Sequence, residues 1–142
     1  MGTYLVRGGK RIEGEFAVRG SKNAALPILA ACVLAADEVV LENLPQIRDV
    51  SQTLEILREL GCSVTLTGRT AVIDSRDMQA AALCGEAVRK MRSSILFLGA
   101  MLGRSGVGRI AYPGGCAIGK RPIDLHLAAF RRMGVSIAEE NE

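Results

Sequence analysis

The 142-residue sequence predicts an α/β fold made of repeated βαβαββ units, truncated in its second copy. Three observations predict it. Short stretches with period-two alternation take turns with stretches of helical spacing. Two helices are apolar almost all round, which places them at the centre of a fold. A segment late in the chain also repeats an earlier one, the signature of a duplicated supersecondary unit.

The elements follow in order. Ile12, Gly14, Phe16 and Val18 alternate with Glu13, Glu15 and Ala17, which reads as a strand. Gly20 and Ser21 break it, and Ser21 can cap a helix that begins near Lys22 and runs to about Ala36. Pro27 falls inside that helix and has no N–H for the carbonyl of Asn23, so the first turn should be irregular. Val39 to Glu42 is a short strand. Asp49 to Leu60 sets Val50, Leu54, Leu57 and Leu60 at helical spacing before Gly61, a natural stop. Val64 and Leu66, then Ala71 to Asp74, predict a hairpin around Gly68. Met91 to Leu102 predicts a second apolar helix, Arg109 to Tyr112 a strand, Ile123 to Met133 an amphipathic helix and Val135 to Ala138 a strand.

The repeat sets Leu57 to Val64 against Phe130 to Ile137 at an offset of 73, which also pairs Arg48 with Arg121 and Leu54 with Leu127. An offset of 70 pairs Lys22 with Arg92 and Leu26 with Leu96. One unit therefore spans 1–75 and a second, incomplete at its C-terminus, spans 76–142. The expected partner strand of the second unit is missing, so the chain is expected to stop short of a natural domain boundary.

Composition narrows the function classes. With 49% hydrophobic and 23% charged residues, the chain is of ordinary globular type, and disorder is excluded. At this size about 68% of the unfolded surface can be buried, enough for one core. Two Tyr, three Phe and no Trp make that core aliphatic. The longest apolar run, Ala24 to Ala36, has 13 residues, too few to span a bilayer. The N-terminus lacks the order of a signal peptide, so a cytoplasmic location is the default expectation.

The net charge of +3 is unevenly distributed. Ala87 to Ile123 has no acidic residue but seven basic ones: Arg89, Lys90, Arg92, Arg104, Arg109, Lys120 and Arg121. A field of one sign over one stretch favours a multiply charged anion, whether a phosphate ester, a nucleotide or a nucleic acid. Cys32, Cys62, Cys84 and Cys116 are widely spaced, and His126 is the lone histidine, which argues against a zinc site or a disulfide framework. Cys32 and Cys62 read as small buried hydrophobes. Cys116 lies in a glycine-rich loop.

That loop, Pro113 to Pro122, joins a strand to a helix. Its glycines allow close backbone approach to a ligand, and Lys120 and Arg121 precede a helix N-terminus. Cations there oppose the helix dipole, a cost offset if an anion binds. Cys116, near two cations, is biased toward thiolate. Arg89 to Ser94 repeats the theme at the next apolar helix, and Lys22 with Asn23 holds the matching place in the first unit. Three cationic helix starts suggest groups converging on one anionic ligand. The plain alternative is an ordinary glycine-rich turn and solvated cations.

Gly20 to Leu29, Val88 to Ile95 and Pro113 to His126 together resemble the UDP-N-acetylglucosamine enolpyruvyl transferases (1-carboxyvinyltransferases) of bacterial cell-wall synthesis. The resemblance spans nearly the whole chain. It implies the enolpyruvyl transferase fold, an inside-out α/β barrel of six such units in two domains with helices inside and substrates in the cleft between. It implies transfer of the enolpyruvyl group of phosphoenolpyruvate to the 3-hydroxyl of UDP-N-acetylglucosamine. This is the first committed step of peptidoglycan synthesis, on which cell shape and division depend. No metal or cofactor is required. By motif match, Lys22 and Asn23 would contact phosphoenolpyruvate, and Arg92 would help bind substrate phosphate or neighbouring groups. Cys116 would be the catalytic proton donor and the target of fosfomycin. Arg121, Pro122, Ile123, Asp124 and Leu125 would line the UDP-sugar site. These roles suit the chemistry, because protonating C3 of an enol ether needs a positioned acid and two phosphate-bearing substrates need fixed cations.

The expected partners are these two small molecules and the remainder of the enzyme chain, with no nucleic acid and no membrane. The chain alone is expected to be inactive. Two alternatives stand beside this reading. A relative acting on shikimate 3-phosphate is disfavoured by the cysteine loop, and a basic RNA-binding βαβ module by the shortage of aromatics for base stacking.

Overall fold

The structure, a computed structural model, describes residues 3–79, 82–114 and 122–140. Helix α1 (Lys22–Ala31) runs into a 3-10 turn (Cys32–Leu34), then come β1 (Glu38–Leu41), α2 (Arg48–Glu59), β2 (Ser63–Thr67) and β3 (Thr70–Asp74). The second half holds β4 (Ala82–Leu83), α3 (Glu86–Lys90), a 3-10 turn (Arg92–Ser94), α4 (Ile95–Ser105), β5 (Arg109–Ile110) and α5 (Asp124–Arg132).

β1, β3 and β2 form an antiparallel sheet in that order, with Val39 opposite Ile73 and Val64 opposite the same Ile73. The expected hairpin turns at Gly68, and α2 stops before Gly61, whose φ is +90°. β4 and β5 pair in parallel, and α3 and α4 make the crossover between them. α1 packs against both α2 and α4, so the two halves meet through their helices. Leu29, Val33, Leu54, Ile56, Leu57, Phe97 and Met101 are at most 1% exposed in one aliphatic core. Each such side chain contributes about 1.5–3 kcal/mol by leaving water.

Several expectations are corrected. Residues 12–18 form no strand: Ile12, Phe16 and Val18 are 97%, 83% and 86% exposed. Alternation makes a strand only where a sheet edge receives it, and none does so among the described residues. Residues 135–138 are likewise irregular, for the same lack of a ladder partner. The first apolar helix ends at Ala31 and tightens into the 3-10 turn, and it is not buried all round, because Ile28 and Leu34 are about half exposed. Ser21 flanks α1 but its side chain makes no capping hydrogen bond. The helix expected over Met91–Leu102 begins later, at Ile95, because Met91 is extended at φ −128° and ψ 118°. The strand expected over Arg109–Tyr112 is only two residues long, and its partner β4 was not anticipated, since two residues carry no periodicity.

Candidate functional site

The N-terminal ends of α1 and α2 and the 3-10 turn before α4 open onto one cleft of about 530 Å³. Lys22 and Asn23 reach it from α1, Asp49 and Gln52 from α2, Arg92 and Ser93 from the turn. Leu26, Met91, Ile95 and Leu96 form its apolar floor, while Lys90, Gly114 and His126 complete the rim. The pairing of Lys22 with Arg92 by the internal repeat thus corresponds to a shared wall of one cleft.

The start of α1 is set by a close backbone approach. A Cβ at Gly20 would lie 2.1 Å from the Asn43 carbonyl oxygen, so only glycine lets the chain pass that loop and bring Lys22 and Asn23 to the cleft. Pro27 leaves the Asn23 carbonyl without its usual helical donor. Lys22 forms an ion pair with Asp49, whose carboxylate also sits in the first turn of α2, where the helix dipole favours it. Lys90 pairs with Glu86 one helical turn back. Among the described residues, the Arg92 guanidinium and the Asn23 amide have no side-chain partner, although both border the cleft. A solvated cation, a neutral amide and a half-neutralised lysine around a concave surface suit a phosphate or carboxylate.

The remaining site expectations are distributed differently. Cys116, Lys120 and Arg121 lie outside the described residues. Gly114, at the base of that loop, lies on the cleft rim. Pro122, Ile123, Asp124 and Leu125 do not line the cleft among the described residues; Ile123 is buried in the core, and Leu125 is 79% exposed. Asp49, Gln52, Lys90 and His126 were not assigned to a site from sequence. Lys90 carried a signal as part of the cationic Arg89 to Ser94 segment, and Asp49, acidic at a helix start, carried one whose ordinary reading is dipole compensation. A smaller cavity of about 340 Å³ lies between Leu44, Arg48, Leu66 and Gly68, and Arg48 is the one cation among its described residues. No group of three or more His, Cys, Asp or Glu that could hold a metal occurs among the described residues.

Comparison with known proteins gives this cleft a context. The family model for EPSP synthase (3-phosphoshikimate 1-carboxyvinyltransferase) matches residues 6–142. The chain belongs to this family. Within the EPSP synthase family it is 45% identical over 139 residues to UDP-N-acetylglucosamine 1-carboxyvinyltransferase 2 of Caldanaerobacter subterraneus subsp. tengcongensis, covering 98% of this chain and 33% of the relative. It is 48% identical over 141 residues to UDP-N-acetylglucosamine 1-carboxyvinyltransferase 1 of Symbiobacterium thermophilum, covering 96% and 32%. Among solved structures, the enolpyruvyl transferase NikO from Streptomyces tendae superposes with a TM-score of 0.77 at 26% identity, over 95% of this chain and 29% of NikO. The chain thus spans about a third of the length of the family members it matches. No helix among the described residues is long and apolar enough to cross a membrane.

Proposed function

We propose that the chain forms the substrate-binding portion of an enzyme that transfers the enolpyruvyl group of phosphoenolpyruvate to the 3-hydroxyl of UDP-N-acetylglucosamine. The observation that carries the reading is the convergence of Lys22, Asn23 and Arg92 on one cleft whose rim includes Gly114, the base of the Cys116 loop. Relatives at 45–48% identity bear the name of that activity, which favours UDP-N-acetylglucosamine over shikimate 3-phosphate as acceptor.

In this reading Lys22 and Asn23 hold the carboxylate and phosphate of phosphoenolpyruvate, and Arg92 neutralises substrate phosphate. Cys116 delivers a proton to C3, which makes C2 electrophilic. The sugar hydroxyl adds to C2 and gives up its proton. Loss of a proton from C3 and cleavage of the C2–O bond to phosphate then restore the double bond and release inorganic phosphate. Arg121, Pro122, Asp124 and Leu125 would border the UDP-sugar beside the cleft, with the buried Ile123 supporting them from the core. The units 1–75 and 76–142 would be repeats of the family's building block, and the step would serve cytoplasmic peptidoglycan synthesis.

The test is phosphate release. The 142 residues alone are expected to release none. Joined to the remaining two-thirds of the Caldanaerobacter relative, they are expected to release phosphate only with UDP-N-acetylglucosamine present and to stop with Cys116→Ala. Cys116-dependent release by the chain alone, or a hybrid that uses shikimate 3-phosphate instead, would contradict the proposal.

A further inference from the structure

The chain breaks direction between α3 and α4, and the break presents Arg92 to the cleft. Met91 is extended, and Ser94, two residues past Arg92, is fully buried. The Ser94 hydroxyl donates to the Met91 carbonyl at 2.7 Å and lies 3.1 Å from the Val88 carbonyl, so one proton serves two helix-end acceptors. The Val88 carbonyl also accepts from the Met91 N–H at 3.3 Å and, at 3.4 Å, from the N–H of Gly114. A Cβ on Gly114 would lie 1.8 Å from the Arg89 carbonyl oxygen, so the base of the loop passes against the end of α3 with no room for a side chain. Beneath the break, the Thr53 hydroxyl of α2 meets the Met91 sulfur at 3.8 Å. Met91 and Ser94, which flank the segment that carries Arg92, and Gly114, which starts the loop, are therefore fixed to the same carbonyl.

We propose that Ser94 and Gly114 are positioning residues that act through this Val88 corner to hold Arg92 in its anion-binding place. Ser94 ties the turn to α3, and Gly114 ties the loop base to it. Ser94 is buried and does not line the cleft, and Gly114 meets it only at the rim. Removing the buried hydroxyl takes one donor from each carbonyl and leaves the corner to the longer backbone bonds, Ser94 N–H to the Met91 carbonyl at 3.2 Å and the Met91 and Gly114 N–H groups to the Val88 carbonyl, so the turn holds Arg92 less firmly. The inference rests on the assignment of Arg92 to anion binding made above.

The test is a double-mutant cycle on this chain, with phosphoenolpyruvate affinity read from amide shifts at Lys22 and Asn23. Ser94→Ala is expected to weaken binding about fivefold, Ser94→Thr to retain it within about twofold, and Ser94→Ala to have no further effect in an Arg92→Ala background. Gly114→Ala, with its melting temperature recorded, tests the same corner from the loop side and should also lose its effect once Arg92 is gone. Losses that persist unchanged in the Arg92→Ala background would overturn the proposal while leaving Arg92 as a ligand. Arg92→Ala binding as tightly as the parent would overturn both the proposal and the assignment of Arg92.

Discussion

Cys32 and Cys62 are 4% and 5% exposed, and burial first of all pushes each thiol up to about 11. Both stay protonated at pH 8 and react slowly. Brief alkylation at pH 8, read by peptide mass spectrometry, should therefore modify exposed Cys84 and spare Cys32 and Cys62 until the chain unfolds. Modification of Cys32 as fast as Cys84 would contradict this. Fosfomycin, an epoxide opened by a thiolate, should label Cys116 rather than Cys84 if the loop does what is proposed for it. Asp74 gives a pH prediction of definite sign. Hydrogen bonds from Arg76 hold its carboxyl down at about 2, against an ordinary 3.8. The folded pKa is depressed, so the contribution to stability is complete above about pH 4 and is lost as pH falls through 2. Urea unfolding from pH 5 to 2 should show a flatter acid limb for Asp74→Asn, and an unchanged limb would dismiss the pair as a stabiliser. At this scale the sequence was informative where local context decides, as with two cysteines in apolar surroundings. It gave no sign that Gln52 or the carboxylate of Asp49 would face the cleft, because that depends on how α2 packs beside α1.

Elements were legible in proportion to how much of their stability is local. α2 combines a regular apolar stripe, an acidic first turn, a basic last turn and a glycine stop, and it folds within one residue of expectation at each end. The β2–β3 hairpin is as well specified by its turn. The 12–18 and 135–138 segments have the right alternation but no ladder, because pairing is a tertiary event that alternation does not supply. The α3–α4 break was missed for a different reason: Met91 to Leu102 has helical spacing throughout, and the interruption comes from the Ser94 hydroxyl competing for backbone carbonyls. Two stability measurements separate these cases. Leu57→Ala, at a fully buried position of α2, should cost about 2–5 kcal/mol in urea unfolding. Phe16→Ala should change stability by no more than about 0.5 kcal/mol, since its ring is 83% exposed. A large loss at Phe16 would mean that residues 12–18 are paired after all.

At the scale of the molecule, the site lies where α1, α2 and the turn before α4 meet. α1, which begins at Lys22, packs against α4, which follows the 3-10 turn that carries Arg92, and this sets Lys22 and Arg92 on the same cleft. That much followed from the offset of 70 residues together with the charge stretch from Ala87 to Ile123. The apolar floor, the Lys22–Asp49 pair and the contribution of His126 did not, because they arise only when the helices meet. In the proposed function this cleft, and not the smaller cavity beside Arg48, receives phosphoenolpyruvate. Titrating the chain with phosphoenolpyruvate and following every backbone amide by NMR tests it most directly. The prediction is that shifts concentrate at Lys22, Asn23, Arg92 and Gly114 and that Arg92→Ala raises the phosphoenolpyruvate concentration needed to produce those at Lys22 and Asn23. Shifts centred on Arg48 to Ser51, or none at the four cleft residues at millimolar ligand, would contradict it.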